Sequence, residues 1–293
     1  MPQDRKTGQG AIPENNGAAD VQDIEIQLLL EAVYLRYGYD FRNYSRAHLR
    51  RRVNYRLKID GLQTVSELQS KILWSRDAFN TLLQDFSINV TEMFRDPEFY
   101  RTFREKVVPI LSTYPHLKIW HAGCSTGEEV YSLAILLSEE NLLNRTQVYA
   151  TDFNKKVLEV AKEGIFQAKH FEAFGENYKQ AGGKFQLSDY YTARYGSVKF
   201  DQSLARRIVF ADHNLATDNV FAEVHLIFCR NVLIYFDKKL QSRVIGLFSG
   251  SLIPGGFLCL GTKESLRFTG KEDEFHVVDD TFRIYKKKTQ PFG

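Results

Sequence analysis

Four short segments of this sequence carry residue types suited to holding and modifying a nucleoside, and each follows an apolar run. The first is His121-Ala122-Gly123-Cys124-Ser125-Thr126-Gly127-Glu128-Glu129. Gly123 and Gly127 permit a tight turn and a close approach of backbone to ligand. The spacing is not the G-x-G-x-x-G of a dinucleotide site, and Glu128 and Glu129 would repel a pyrophosphate there. They suit a ligand with positive charge, such as an amino group or a sulfonium; alternatively, they complement a helix dipole. The second segment is Tyr149-Ala150-Thr151-Asp152. Asp152 can accept both hydroxyls of a ribose, or cap a helix that opens near Asn154. The third is Ala211-Asp212-His213-Asn214-Leu215. The amide of Asn214 could read an adenine edge or form a turn. The fourth, Cys229-Arg230-Asn231-Val232-Leu233-Ile234-Tyr235-Phe236, would face the reacting group. Amino methylation of bases needs an Asn/Asp-Pro-Pro-aromatic motif there, and cytosine C5 chemistry needs Pro-Cys. The chain contains neither dipeptide, which argues against nucleobase methylation.

The elements that must position these segments follow from the hydrophobic pattern. Beyond Tyr114-Pro115, apolar runs alternate with amphipathic helices: strand 117–122, helix 127–138, strand 147–151, helix 155–163, strands 208–211 and 225–229, helix 237–252 and strand 257–260. This rhythm predicts a parallel sheet with helices on both faces, which binds ligands beyond the carboxyl ends of its strands. Phe275–Val278 and Thr281–Lys286, joined at Asp279-Asp280, predict a closing antiparallel hairpin, a feature of methyltransferase sheets. Between helix 155–163 and the strand at Ile208, Phe185–Leu187, Tyr190–Thr192 and Val198–Phe200 suggest a small antiparallel insertion at about 182–206. A connection of that length is usually functional.

The first ninety or so residues read differently. Residues 1–20 are polar and rich in Gly, Asn and Pro, as in a flexible tail. Residues 21–90 read as an all-helical domain. Its first helix carries Ile24, Leu28, Val33 and Leu35 as an apolar face and stops near Gly38. Its second is capped by Ser45, carries Leu49, Val53 and Leu57, and ends at Gly61. Thr64-Val65-Ser66-Glu67 is a capping box, and a fourth helix spans about 77–88. Asp96-Pro97 opens a connecting helix that runs to Leu111, within a linker over 91–112. The α/β sheet domain then occupies 113–293.

Composition sets the outer bounds. The chain has 293 residues, 43% hydrophobic and 26% charged, an ordinary globular balance. Its net charge is only +3, so a nucleic-acid partner would need a local basic patch. No apolar run reaches the ~20 residues of a membrane helix, and the first residues lack an apolar stretch like that of a signal peptide. A soluble cytoplasmic protein without membrane insertion is the expectation. Cys124, Cys229 and Cys259 are dispersed and odd in number, which predicts reduced buried thiols and neither disulfide nor zinc.

Asn89-Val90-Thr91-Glu92-Met93-Phe94-Arg95-Asp96, Ser125-Thr126-Gly127-Glu128-Glu129, Ala150-Thr151-Asp152, His213-Asn214-Leu215 and Phe228 through Phe236 occur in that order. Together they resemble the CheR family of chemotaxis-receptor methyltransferases, and the likeness extends over about residues 21–288. It implies a class I S-adenosylmethionine-dependent methyltransferase sheet with a small antiparallel β insertion, preceded by an all-α domain. The implied reaction moves a methyl group from S-adenosylmethionine to glutamate side chains in the cytoplasmic helical region of chemoreceptors. Methyl esters and S-adenosylhomocysteine are the products. By match of motif, Asn89, Thr91 and Arg95 are cofactor-side residues of the linker. Glu128 approaches the methionine part and Asp152 the ribose. Asn214-Leu215 and Asn231-Val232 are adenine- and sulfonium-side contacts, and Arg95 and Tyr235 orient the acceptor carboxylate. Met93 stands where that motif commonly has an aromatic residue.

The chemistry is compatible with these residues. A glutamate with an ordinary pKa of ~4.3 is ionised at neutral pH, so attack on a methyl held by positive sulfur needs no general base. The absence of a Ser-His-Asp or Cys-His arrangement therefore does not argue against an enzyme. An arginine gripping the acceptor too tightly would blunt the nucleophile, which assigns Arg95 to orientation rather than activation.

The second helix holds Arg46, Arg50, Arg51, Arg52, Arg56 and Lys58 against Asp60 alone. This is either a solvated face or a docking surface for an acidic partner. The resemblance points to the glutamate-bearing helices of chemoreceptors rather than to nucleic acid. In some family members the β insertion holds a peptide at the receptor C-terminus through a longer glycine-bearing loop. Here the Ala193–Ser197 connection is short, so no dependence on a receptor tail is expected. Two other functions compete: a catalytically silent adenosyl-ligand-binding adaptor, which need not keep Arg95, Asp152, Asn231 and Tyr235 together, and a nucleic-acid methyltransferase.

Overall fold

A computed structural model describes residues 20–87 and 91–289; residues 1–19, read above as a tail, and Asn89 lie outside them. Four helices come first: α1 (Val21–Tyr37), α2 (Arg46–Asp60), α3 (Val65–Trp74) and α4 (Arg76–Phe86). Their ends have local causes. Gly38 and Gly61 take the left-handed C-cap conformation, and the Thr64–Glu67 capping box has both its arms. Ser45 occupies the N-cap of α2 without a side-chain cap bond; its backbone N–H goes instead to the Tyr235 carbonyl, 2.8 Å away.

The buried face of α1 differs from the expected one. Ile26, Leu29, Leu30 and Val33 are buried, whereas Ile24, Leu28 and Leu35 face outward. The helix is apolar on both sides, so periodicity alone does not choose between them. On α2, Leu49, Val53 and Leu57 are buried as their spacing requires.

The connecting helix is two helices, α5 (Pro97–Lys106) and α6 (Val108–Leu111). Pro109 sits in the first turn of α6, where a missing N–H is tolerated. The sheet domain follows as β1 (Leu117–Ala122), α7 (Glu128–Glu139), β2 (Thr146–Asp152), α8 (Lys155–Glu163), β3 (Ile165–Gln167), α9 (Phe171–Gln180), β4 (Tyr191–Arg194), β5 (Ser197–Phe200), α10 (Gln202–Ala205), β6 (Ile208–Asp212), β7 (Val224–Cys229), α11 (Lys238–Ser251), β8 (Leu252–Leu260), β9 (Phe275–Asp279) and β10 (Ile284–Lys287). The main sheet runs β6-β2-β1-β7-β8-β10-β9. Its pairs are parallel from β6 to β8 and antiparallel from β8 through β10 to β9. This is the mostly parallel sheet with a closing hairpin that the sequence implied.

Side-chain alternation divides the core between the sheet's two faces. Leu117 and Ile119 on β1 and Phe228 on β7 join α5 and α7 on one side. Trp120, Ala122 and Ile227 join α11 and the N-terminal helices on the other. The helical domain is thus packed into the sheet's own core.

The small sheet, ordered β3-β5-β4, corrects the expected insertion at 182–206. Its third strand is Ile165–Gln167, before α9, and Phe185–Leu187 is not a strand. Phe185 is exposed, so its aromatic character had suggested a strand that packing does not form. Buried Glu139 ties this subdomain to the sheet, accepting hydrogen bonds from Tyr178 and Tyr190 and pairing with Arg104.

Candidate active site

One cleft opens at the carboxyl ends of β1, β2 and β7. Among the residues lining it are Thr91, Arg95, His121, Gly123, Ser125, Glu129, Asp152, His213, Leu215, Asn231, Val232 and Tyr235, while Tyr44, Phe86 and Ser87 reach it from the helical domain. That domain is bonded to the rim. Phe236 bridges to Tyr44, Asp237 N–H donates to the Asn43 carbonyl at 2.9 Å, and Asn154 Nδ2 donates to Ser87 Oγ at 3.0 Å.

The glycine turn after β1 is fixed by close contact. Gly123 has φ 75°, and a Cβ added there would stand 2.5 Å from Val232 Cγ2. Gly123 and Cys124 donate their N–H groups to the Thr151 carbonyl. Asp152 joins the same turn, accepting from Ser125 N–H and Asn154 N–H, both at 3.0 Å. Burial pushes its carboxyl above the usual range, against those backbone donors. Two accepted bonds leave a carboxylate capacity for further donors.

The two adjacent glutamates part company. Glu129, not Glu128, forms cleft wall. Glu128 accepts a hydrogen bond from Thr126 Oγ1 at 2.6 Å, and burial raises its pKa. Burial would also raise Glu129, but Arg230 and then His121 bring it down to about 2. Asn214 is likewise absent from the wall: its Oδ1 accepts from Ala216 N–H at 2.9 Å, the turn-forming alternative, and Leu215 and His213 line the cleft beside it.

Asn231, Val232 and Tyr235 are held by a residue that motif reading missed. Glu264 is 4% exposed. Its carboxylate accepts the backbone N–H groups of Asn231, Val232, Leu233, Ile234 and Gly261 at 2.5–3.3 Å. Burial pushes this carboxyl up while the backbone donors pull it down. Asn231 is left-handed at φ 59°, a conformation that costs a non-glycine residue roughly 1–3 kcal/mol and that this carboxylate sustains.

At the rim, the His48 and Tyr235 rings lie 4.6 Å apart. Burial pushes the Tyr235 phenol up, while Arg95, Arg52 and Arg51 pull it down. The phenol therefore stays protonated at neutral pH and can donate a hydrogen bond amid cations. The charges of the basic helix are not equally free. Arg50 pairs with Asp20 and Asp23, and Arg56 with Asp85 at 2.6 Å and Asp60 at 3.2 Å. Arg56 and its partners are largely buried, whereas Arg50 keeps 39% of its side chain exposed beside Asp20 and Asp23. Arg46 and Arg51 remain exposed, and Arg52 is half-buried.

Residues 89–284 match the family model described as "CheR methyltransferase, SAM binding domain", and residues 24–87 match "CheR methyltransferase, all-alpha domain". The chain belongs to the CheR methyltransferase family. It is 52% identical to the Pseudomonas putida protein Cher3 over 265 residues, covering 90% of this chain and 97% of that one. It is 30% identical to chemotaxis protein methyltransferase 1 of Vibrio cholerae over 226 residues, covering 74% and 79%. It is 28% identical to the chemotaxis protein methyltransferase of Salmonella typhimurium over 277 residues, covering 91% and 92%. This CheR-family chain is an S-adenosylmethionine-dependent methyltransferase.

The cleft fits that cofactor. Ser125 Oγ, His121 Nδ1 and His213 Nδ1 are buried without a protein hydrogen-bond partner among the described residues, and all three residues line the cleft. The glycine turn keeps side-chain volume out of its floor. Gly123→Ala is expected to weaken S-adenosylhomocysteine binding at least about tenfold, since left-handed strain and overpacking each cost ~1–3 kcal/mol. Calorimetry checks this, and adding Val232→Ala should recover part of the loss. Wild-type affinity in Gly123→Ala would show that the close approach is not needed.

Proposed function

We propose that this methyltransferase esterifies glutamate side chains in the cytoplasmic helical region of chemoreceptors. The observation that carries the reading is that Arg95 and Tyr235 line one cleft, with Arg51 and Arg52 near enough to act on the same phenol. Bound S-adenosylmethionine supplies an electrophilic methyl group on positive sulfur. The chain's own residues do the rest. Thr91, Asp152, Leu215, Asn231 and Val232 hold the nucleoside, with Asn89 as a further candidate from the linker and with Glu128 and Asn214 acting through the turns they stabilise. The Arg95 guanidinium and the protonated Tyr235 hydroxyl bind the acceptor carboxylate by charge-assisted hydrogen bonds. They fix its approach, and the glutamate arrives already ionised, so no base is required. Orientation of this kind is worth up to ~7–11 kcal/mol. Tyr44, Phe86 and Phe236 exclude water from the same cleft.

Arg46, Arg51 and Arg52 steer the acidic receptor helix onto this rim. Reversing Arg51 and Arg52 to Glu is expected to raise KM for receptor about tenfold, flatten its salt dependence and leave S-adenosylhomocysteine affinity unchanged. Unaltered kinetics would return the helix to a solvated face. The β4–β5 connection is only Tyr195-Gly196, with φ 49° and 73°, which supports independence from a receptor tail.

The deciding experiment incubates the protein with methyl-labelled S-adenosylmethionine and membranes bearing receptors with or without their C-terminal tails. Label released as methanol by mild alkali, equally from both, is the expected result. Alkali-stable label would point to nitrogen or a nucleobase, and cofactor binding without transfer would support a silent adaptor.

A further inference from the structure

The reaction as proposed gives Arg230 no role, yet its side chain is only 1% exposed. A buried cation must be compensated, and Glu129 does so directly with its carboxylate. The remaining contacts of the guanidinium do something else. Nη1 and Nη2 both donate to the Arg95 carbonyl at 3.2 Å. Nη2 also pairs with Asp96 Oδ2 at 2.7 Å, and the plane lies 4.1 Å over the Phe99 ring. Asp96 had the position of a helix cap, but it makes no side-chain cap bond; its carboxylate is turned to Arg230.

The segment so gripped is strained. Phe94 and Asp96 are left-handed, at φ 50° and 54°, on either side of Arg95. Phe94 is fully buried, and neither residue is a glycine. Such a turn persists only where its surroundings over-determine it. Ser132 Oγ accepts from Phe94 N–H at 2.9 Å and fixes the turn's start. Its far side, the Arg95 carbonyl and Asp96, rests on Arg230, which adjoins Asn231 in the cleft wall. We propose that Arg230, held from within by Glu129, is the positioning residue that clamps this strained turn and so aims the Arg95 side chain into the cleft. The inference rests on the role given to Arg95 above.

A double-mutant cycle in the full-length protein tests it, because a residue acting through Arg95 should have nothing to act on once Arg95 is gone. Arg230→Lys keeps the charge but loses the planar fork. It is expected to lower kcat about 30-fold, with calorimetric binding stoichiometry for S-adenosylhomocysteine reporting an undiminished folded fraction. In an Arg95→Ala background the same change should cost less than about threefold. Effects that multiply, or near-normal turnover in Arg230→Lys, would overturn the proposal. Should Arg230→Lys fail to fold, Asp96→Asn, at the outer end of the clamp, enters the same cycle. Amide hydrogen exchange needs no acceptor: residues 91–96 should exchange at least about tenfold faster in either variant while α7 stays protected. Unchanged exchange there would overturn the clamp. A wild-type protein that methylates no receptor would instead overturn the substrate reading and leave the exchange result standing.

Discussion

Arg95→Ala is expected to lower turnover on chemoreceptors by about 100- to 1000-fold, a loss of ~3–4 kcal/mol of transition-state stabilisation. Arg95 lies in the cleft with Tyr235, close enough to pull down the phenol's pKa. The acceptor is an anion that must leave water and line up with one carbon–sulfur bond, and truncation removes the cation that collects it. Arg95→Lys separates charge from geometry. It restores a point charge without the planar fork that matches a carboxylate, so recovery should be incomplete, leaving turnover about tenfold or more below wild type. Tyr235→Phe should cost less than Arg95→Ala, because the hydroxyl offers the carboxylate one hydrogen bond and no charge, whereas the guanidinium offers a full positive charge and a two-pronged fork. Single-turnover rates with saturating cofactor provide the measurement. If Arg95→Ala and Arg95→Lys both turn over near the wild-type rate with unaltered cofactor affinity, Arg95 does not orient the acceptor.

Which parts of the molecule were legible in the sequence depends on the range over which their causes act. Leu117–Ala122 and Lys155–Glu163 were legible to the residue, because alternation, caps and breakers are local. The turn at Gly123 was legible as glycine spacing, although the reason for it, a Val232 side chain that would stand 2.5 Å from any Cβ placed there, lies more than one hundred residues away. The face that α1 buries was not legible, since Ile24, Leu28 and Leu35 are as apolar as Ile26, Leu29 and Leu30 and only the partner helices distinguish them. The charge density of the second helix is visible in a sequence, whereas the carboxylates that pair with Arg50 and Arg56, Asp20, Asp23 and Asp85, come from elsewhere in the domain. Glu264 and the Arg230 clamp share one cause of invisibility. Each acts on a loop distant in sequence, 33 residues away for Glu264 to Asn231 and 135 for Arg230 to Arg95.

Glu264 yields the largest expected effect on stability. Two carboxylate oxygens accept five backbone N–H groups: Oε1 takes Val232, Leu233 and Ile234, and Oε2 takes Asn231 and Gly261. Four of these belong to consecutive residues, so the side chain acts as a built-in anion in a backbone nest. Space is tight there as well, since a Cβ at Gly261 would stand 2.8 Å from Glu264 Oε2. Glu264→Ala leaves buried donors unpaired at ~1–3 kcal/mol each, less what entering water restores. A net loss of about 4 kcal/mol is expected, a large part of the 5–15 kcal/mol typical of a domain. Glu264→Gln keeps one acceptor oxygen but turns an amide NH₂ toward N–H donors, so it should also destabilise, though less than Ala. The urea midpoint reports the stability and calorimetry with S-adenosylhomocysteine reports the site; both should fall, because the loop that loses its anchor carries Asn231, Val232 and Tyr235. A variant that unfolds at the wild-type midpoint would mean that water serves those five donors as well as the carboxylate does. A destabilised variant with intact cofactor affinity would mean that the loop's shape is set by its contacts with Tyr44 and Asn43 on the helical domain instead.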